Sequence, residues 1–490
     1  MDEMKKVSSA EAGTSGQEKE DAKRKRILKY LWPATEIGGG FDKAYFATYA
    51  NYLYTNVYMM GALYSGIIAM AQNILRWVGG PFFGTVIDRV SFKKGKYYPW
   101  IILGRAVAYI AWIILFSLPL FGISGVTLRP FALALVLLIA VSDSVTTAPI
   151  HGIFPQITKD TKERQFIAMI QKICRDGGKT VFGYVCPALL MFFMAKVDES
   201  KAYAVTGLIV GILSFVFYLA LGLGLKGSYI ERKAMENTHA ASGKKKMSVI
   251  QTFRILFTNK ALVMMYLFTA LQKSYYFIYF FYATYMFNYM FEDFGLLGTF
   301  MLVFNLSAII GAMFGPAVQK FLKDIKQMLI VCTGVHVVIL LILALFMRQF
   351  DAVTFMAVFA VSSFFMGLIE SFYMPMFAAS SDYCTWKSRT RMDGLNMSIY
   401  SLAISTGMVV SSAISTAVLT KFGLDGVVAS GVATETFLGG LGVLFGWIPL
   451  ILGCAALVIF VFFPLNSKRI GQINEDLAAG KTAETSEYKF

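Results

Sequence analysis

Gly80-Pro81-Phe82-Phe83-Gly84-Thr85-Val86-Ile87-Asp88-Arg89 is echoed far along the chain by Gly311-Ala312-Met313-Phe314-Gly315-Pro316-Ala317-Val318-Gln319-Lys320. In both stretches an apolar run with glycines four apart ends in polar or charged residues. Small residues at that spacing let helices approach closely in lipid. A second, weaker echo pairs Pro149–Arg164 with Pro375–Arg391, each leading from a Pro-containing helix into a basic loop. A chain that repeats itself in this way is built from two similar halves.

The surroundings set the solvent in which those halves fold. Of 490 residues, 57% are hydrophobic and only 15% charged, so a soluble globular body is excluded. Apolar runs recur at Ile101–Leu120, Phe131–Val141, Val205–Leu225, Met328–Met347, Val353–Met366 and Leu441–Phe463. Helices are expected over 36–62, 65–89, 99–121, 131–155, 165–195, 203–225, 258–290, 295–320, 327–347, 352–381, 392–421 and 437–465. The fold class is therefore an all-α polytopic membrane protein of twelve transmembrane helices in two six-helix bundles. Its expected divisions are a disordered tail 1–30, a bundle 31–225, a basic linker 226–250 containing Lys244, Lys245 and Lys246, a second bundle 251–466 and a tail 467–490.

The net charge of +15 has a topological reading. With these helices most basic residues fall in one set of loops, and Arg129, Lys196, Lys201, Arg348 and Lys421 in the other. That asymmetry puts both termini in the cytoplasm of a multi-pass inner or plasma membrane protein. It makes anionic lipid, not nucleic acid, the partner of the excess charge. The charged first 30 residues lack an apolar core with a cleavage site, so no cleaved signal peptide is expected. The five cysteines have no metal-ligand spacing and read as reduced packing residues. No metal, cofactor or enzymatic constellation is expected with only three histidines.

Charges that interrupt the apolar segments are costly and mark pathways or internal pairs. The basic ones are Lys43, Arg76, Arg105, Lys172, Arg175, Lys179, Lys260 and Lys273; the acidic ones are Glu36, Asp42, Asp143, Asp176 and Glu370. Lys260 and Arg105 lie near helix ends and are expected to snorkel. Lys172, Arg175 and Lys179 share one helix face. In the aromatic run Tyr275–Tyr282, one or two rings, Tyr275 or Tyr279, are expected to meet substrate, with Lys273 the stronger candidate.

Gly84-x-x-x-Asp88-Arg89, then Gly95-Lys96-x-x-Pro99-Trp100, with Ser381-Asp382-Tyr383 and Arg391-x-Asp393-Gly394, resemble the major facilitator superfamily. Within it they look most like the glycoside-pentoside-hexuronide:cation symporters, the melibiose permease-like family. The resemblance spans roughly 36–465. It implies the major facilitator fold and sugar transport by alternating access, with Gly84, Asp88, Arg89, Gly95, Lys96, Asp382 and Arg391 as gating residues. It further implies a sugar-binding carboxylate on the first helix, where Asp42 and Lys43 stand and the spacing leaves Asp42, Glu36 or neither in that role; a substrate contact from Lys172 on the fifth; and His151, a substrate contact or a packing residue, where relatives carry an aromatic.

The sequence departs from the family at its cation site. Where relatives place an Asp pair on the second helix, Arg76 and Gly80 stand; Thr147 precedes Pro149 where a further carboxylate is usual, and Asp143 is the nearest acid. Arg76 is thus expected to occupy the cation's space as a fixed charge, paired with Asp42, Glu36 or Asp143. Asp143 and Glu370 remain candidates for proton coupling, since burial favours a carboxyl's protonated form. The substrate-binding candidates are Asp42, Lys43, Arg76, Asp143, His151, Lys172, Arg175 and Lys273, and their cationic excess points toward an anionic sugar such as a hexuronide. The expected function is a monomeric secondary transporter of a sugar, glycoside or hexuronide, proton-coupled or facilitative. The alternatives are a lipid or lysolipid carrier of the same fold and, further off, a channel or a membrane enzyme.

Overall fold

The computed structural model describes residues 2–90, 92, 95–121, 127–157, 161–240, 259–388, 393–483 and 485–486. Helix α1 runs Asp2–Asp42 and continues through π-turns at Lys43–Ala47 and Leu53–Val57. Its first turns occupy the segment read from sequence as a tail. Then follow α2 (Ala62–Arg89), α3 (Tyr98–Ser117), α4 (Leu128–Ile157), α5 (Thr161–Met194) and α6 (Glu199–Leu225). A linker helix, Tyr229–Ala240, precedes α7 (Lys260–Tyr285), α8 (Leu296–Leu322), α9 (Ile325–Phe346), α10 (Ala352–Glu370 and Tyr373–Ser388), α11 (Asp393–Lys421) and α12 (Glu435–Gly442, continuing to Val461). A final helix spans Ser467–Ala478.

Among the described residues, nine helices are long and apolar enough to cross a membrane. Those that fall short are α1, α2 and α7, whose polar and charged side chains dilute the apolar run. They are also helices that meet the opposite bundle: α2 packs on α11 and α1 on α7, while α5 packs on α8. Helices facing a partner bundle or a cavity need less apolar surface than helices facing lipid.

The internal repeat is visible in the packing. In the first half α1 packs on α5 and α6, α3 on α4 and α6, and α2 on α4. The second half repeats each pairing six helices later: α7 on α11 and α12, α9 on α10 and α12, and α8 on α10. Gly311 of the sequence echo, with Gly367 facing it, explains the last of these. A Cβ on Gly311 would lie 1.9 Å from the Phe364 carbonyl oxygen, and one on Gly367 would lie 1.8 Å from that of Ala308. Backbone meets backbone there, and no side chain can move aside.

One expected helix is broken. The tenth, read as continuous over 352–381, stops at Glu370 and restarts at Tyr373. Pro375 lacks the N–H that would bond back to residue 371, so the ladder cannot run through. Discontinuous helices in carriers place backbone and side chains at the substrate site, and Glu370 stands at this break.

Gly367→Ala is expected to cost about 1–3 kcal/mol through overpacking against an unyielding carbonyl. Gly334→Ala on α9 meets nothing within 4 Å and is expected to be neutral or slightly stabilising, by up to about 1 kcal/mol. Thermal unfolding of the two variants in detergent separates these outcomes.

Candidate functional site

The intramembrane charges form two clusters. In the first, Asp143 of α4 lies between two guanidinium groups. Arg76 of α2 reaches its Oδ2 at 2.5 Å, and Arg105 of α3 donates to its Oδ1 at 2.9 Å. Arg105 also lies 3.5 Å from Asp42 Oδ2 and 4.3 Å above the Tyr218 ring of α6. The Tyr109 hydroxyl donates to Asp42 Oδ2 at 2.8 Å. Of the partners expected for Arg76, the structure selects Asp143. Arg105 corrects its own expectation: it does not snorkel, but turns inward, because α3 is flanked by α4 and α6 and both acids face it.

The second cluster joins the two bundles. On α5, Lys179 Nζ lies 2.9 Å from Asp176 and donates to the Tyr276 hydroxyl of α7 at 3.2 Å. On α7, Lys273 Nζ is 2.7 Å from Glu370 at the α10 break and 4.6 Å from the centre of the Tyr276 ring. Arg175 is 3.5 Å from Asp176, and Gln171 donates to Glu36 at 3.1 Å. Lys172 and Arg175 act electrostatically on Glu370 across the interface. Lys43, midway along the first helix, is exposed, and the charges it feels are Arg175, Glu36, Lys179 and Asp176.

Close backbone contact brings these groups together. A Cβ on Gly40 would stand 2.7 Å from the Arg175 carbonyl oxygen and the Lys179 nitrogen, and one on Gly178 would stand 2.7 Å from the Ile37 carbonyl oxygen. Helices α1 and α5 therefore cross almost backbone to backbone. Five cations of this cluster (Lys43, Lys172, Arg175, Lys179, Lys273) face three acids (Glu36, Asp176, Glu370).

Of the substrate-binding candidates, Asp42, Arg76 and Asp143 fall in the first cluster and Lys43, Lys172, Arg175 and Lys273 in the second. The side chain of His151 lies outside the described residues. Tyr275 and Tyr279 face the core of the second bundle, where their hydroxyls pair with His336 Nδ1 at 3.3 Å and the Phe445 carbonyl at 2.6 Å. The ring at the bundle interface is Tyr276, which the sequence reading passed over. Its signal was present, since Tyr276 lies three residues after Lys273 and shares its helix face.

Among the gating candidates, Gly84 lies within α2, and the side chains of Asp88 and Arg89, and Arg391, are outside the described residues. Asp382 is half-buried on α10. Gly95 and Lys96 meet a residue that sequence did not suggest. Glu231 of the linker helix is 1% exposed and accepts from the backbone N–H groups of Lys96, Tyr97 (2.9 Å) and Tyr98 (2.7 Å) at the start of α3. Burial pushes its carboxyl above the usual range, and these backbone donors pull it back. At the opposite end of the bundles a second seam is hydrogen-bonded. Thr55 pairs with Tyr285 at 2.7 Å, Asn73 donates to Ser412 at 2.9 Å, and the Ala62 N–H opening α2 donates to Asp425 at 2.6 Å.

Two six-helix bundles with a charged site between them define a membrane carrier. The family described as MFS/sugar transport protein matches residues 34–467, and the chain belongs to it. It is a multi-pass membrane transporter, not an enzyme. It is 22% identical over 448 residues to the isoprimeverose transporter of Lactiplantibacillus pentosus, covering 88% of this chain and 87% of that one. It is 24% identical over 460 residues to a putative sulfoquinovose importer of Escherichia coli (strain K12), covering 93% and 94%. Among solved structures it resembles the nucleoside transporter NupG, with a TM-score of 0.57 at 14% identity over 90% of this chain and 99% of that one, a likeness of fold alone.

Lys273→Ala strands Glu370 in a poorly hydrated site and is expected to cost about 3–5 kcal/mol. Adding Glu370→Gln to that variant is expected to restore part of the loss. Unfolding of both single variants and the double variant measures the pair; additive losses would show that the two groups do not hold one another.

Proposed function

We propose that the protein carries a sugar, glycoside or hexuronide across the cytoplasmic membrane by alternating access, with both termini cytoplasmic. Helices 31–225 and 251–466 move against each other as units, and the loops around Gly84–Lys96 and Asp382–Arg391 work as the gate on the cytoplasmic side. The observation that carries this reading is the charged cluster spanning the bundles, in which Lys179 of α5 meets Tyr276 of α7 beside the Lys273–Glu370 pair. Such a cluster changes partners when the halves rock, and a solute bound there is in contact with both. The hydrogen-bonded seam at Thr55, Asn73 and Ala62 fits a gate closed on the outer side.

Lys43, Lys172, Arg175 and Lys273 are the groups that hold the solute. Their excess over acids supports a substrate bearing a carboxylate or another anionic group. Arg76, bound to Asp143, fills the place of a transported metal cation, so sugar movement does not need Na+. The protein works as a monomer in contact with membrane lipid.

Counterflow in proteoliposomes tests the proposal. Vesicles preloaded with unlabelled methyl glucuronide are expected to accumulate the labelled sugar transiently and saturably, with methyl glucoside a weaker substrate. Linear, unsaturable entry would mark a channel, and the absence of counterflow for any glycoside, pentoside or hexuronide would overturn the sugar reading.

A further inference from the structure

We infer that Asp42, rather than Asp143 or Glu370, is a proton-binding site in the transport cycle. The inference rests on the carrier reading and names the ion that reading leaves open.

Three other acids of the two clusters are held in ion pairs. Asp143 has both oxygens in ion pairs with Arg76 and Arg105, at 2.5 and 2.9 Å. Glu370 holds Lys273 at 2.7 Å, and Asp176 holds Lys179 at 2.9 Å. Glu36 has no such ion pair among the described residues; it accepts from the Gln171 amide, and neither of its oxygens is both buried and unpartnered. Protonating Asp143 would take from Arg76 its ion-pair partner and leave Arg105 only the 3.5 Å contact with Asp42, and protonating Glu370 would strand a buried ammonium; both losses are large in such surroundings.

Asp42 is different. Its Oδ2 accepts from Tyr109, and Arg105 approaches only to 3.5 Å. Its Oδ1 is buried and has no hydrogen-bond partner. A buried carboxylate oxygen left unsatisfied is costly while the group is charged. On α6 the hydroxyl of Ser214 is likewise buried and without a partner, and close enough to act on the Asp42 carboxyl. A proton on Oδ1 removes the charge, and the Ser214 hydroxyl, which can donate to a charged carboxylate, can equally accept from a protonated one. Arg105 loses nothing essential, because Asp143 still holds it.

The groups facing Asp42 are Arg105 and Tyr109 from α3, Asp143 from α4, and Tyr218 and Ser214 from α6. The α5 charges Arg175, Asp176 and Lys179 face Lys43 instead. Arg76, Arg105, Asp42 and Asp143 sum to zero charge when ionised. Protonation leaves the cluster with one positive charge, which an anionic sugar offsets. The step forms one O–H bond at Oδ1 and breaks one in a hydronium ion of the cavity, and release on the other side reverses it. Asp42 adjoins both Lys43 and the π-turn that begins there, so proton and solute act on consecutive residues of one helix.

Difference infrared spectroscopy of the purified full chain, stepped between neutral and acidic pH, reads the protonated-carboxyl band of a group out of bulk water, which lies apart in frequency from that of the solvated carboxyls; that separate band is the one followed. The band is expected in the wild type, in Asp143→Asn and in Glu370→Gln, and is expected to vanish in Asp42→Asn. A band that persists in Asp42→Asn, or is lost in Asp143→Asn or Glu370→Gln, overturns the assignment. If Asp42→Asn does not fold, Asp42→Glu decides: the band must shift in frequency, and an unshifted band overturns the assignment. Wild-type protein that counterflows methyl glucuronide without such a band removes the proton site and leaves the transport reading standing. A band without counterflow of any sugar does the reverse.

Discussion

Asp143 between Arg76 and Arg105 is the constraint on which the first bundle depends. An ionised group away from water is tolerated only beside its opposite. One carboxylate here fixes the relative positions of α2, α3 and α4, and through Arg105 it reaches α1. The Arg105–Asp143 separation of 2.9 Å is that of a charge-assisted hydrogen bond, and Arg76 holds the other oxygen. On the proposed reading the Arg76 guanidinium is a fixed charge that takes no part in uptake or release, so the Arg76–Asp143 pair braces the bundle while Asp42 beside it exchanges a proton.

The second cluster is arranged on the opposite principle. Lys179, Asp176, Tyr276, Lys273 and Glu370 come from α5, α7 and α10, so their pairing depends on how the bundles stand against each other. Tyr276 lies between the two lysines, with its hydroxyl toward one and its ring beneath the other. The broken α10 and the backbone crossing of α1 with α5 bring these charges together. Bracing within one half and exchangeable partners between halves are complementary requirements of a machine that rocks as two bodies.

Much of this was legible in the sequence. The apolar runs and the glycine echo pointed to the helices and to a repeated packing, because lipid imposes helix length and close packing imposes small residues. The charged residues were identifiable by their cost, and Arg76 with Asp143 was among the pairings the residue types allowed. Pairing itself was less legible, since it depends on which helices are neighbours. Arg105 looked like a snorkelling end residue because its distance from the helix terminus is readable in one dimension and the flanking of α3 by α4 and α6 is not. Tyr276 was passed over for Tyr275 and Tyr279 because an all-aromatic run carries no polarity contrast to mark its facing side. Glu231 was invisible for a related reason: a carboxylate in a polar linker looks solvated until the start of α3 is seen to close over it.

The central claim is that the guanidinium of Arg76 stands permanently where a transported cation would otherwise bind. Its most direct test is the rate of sugar counterflow in proteoliposomes with Na+ on both sides, compared with choline at the same ionic strength and pH. Equal rates are expected. A saturable stimulation by Na+ would contradict the claim.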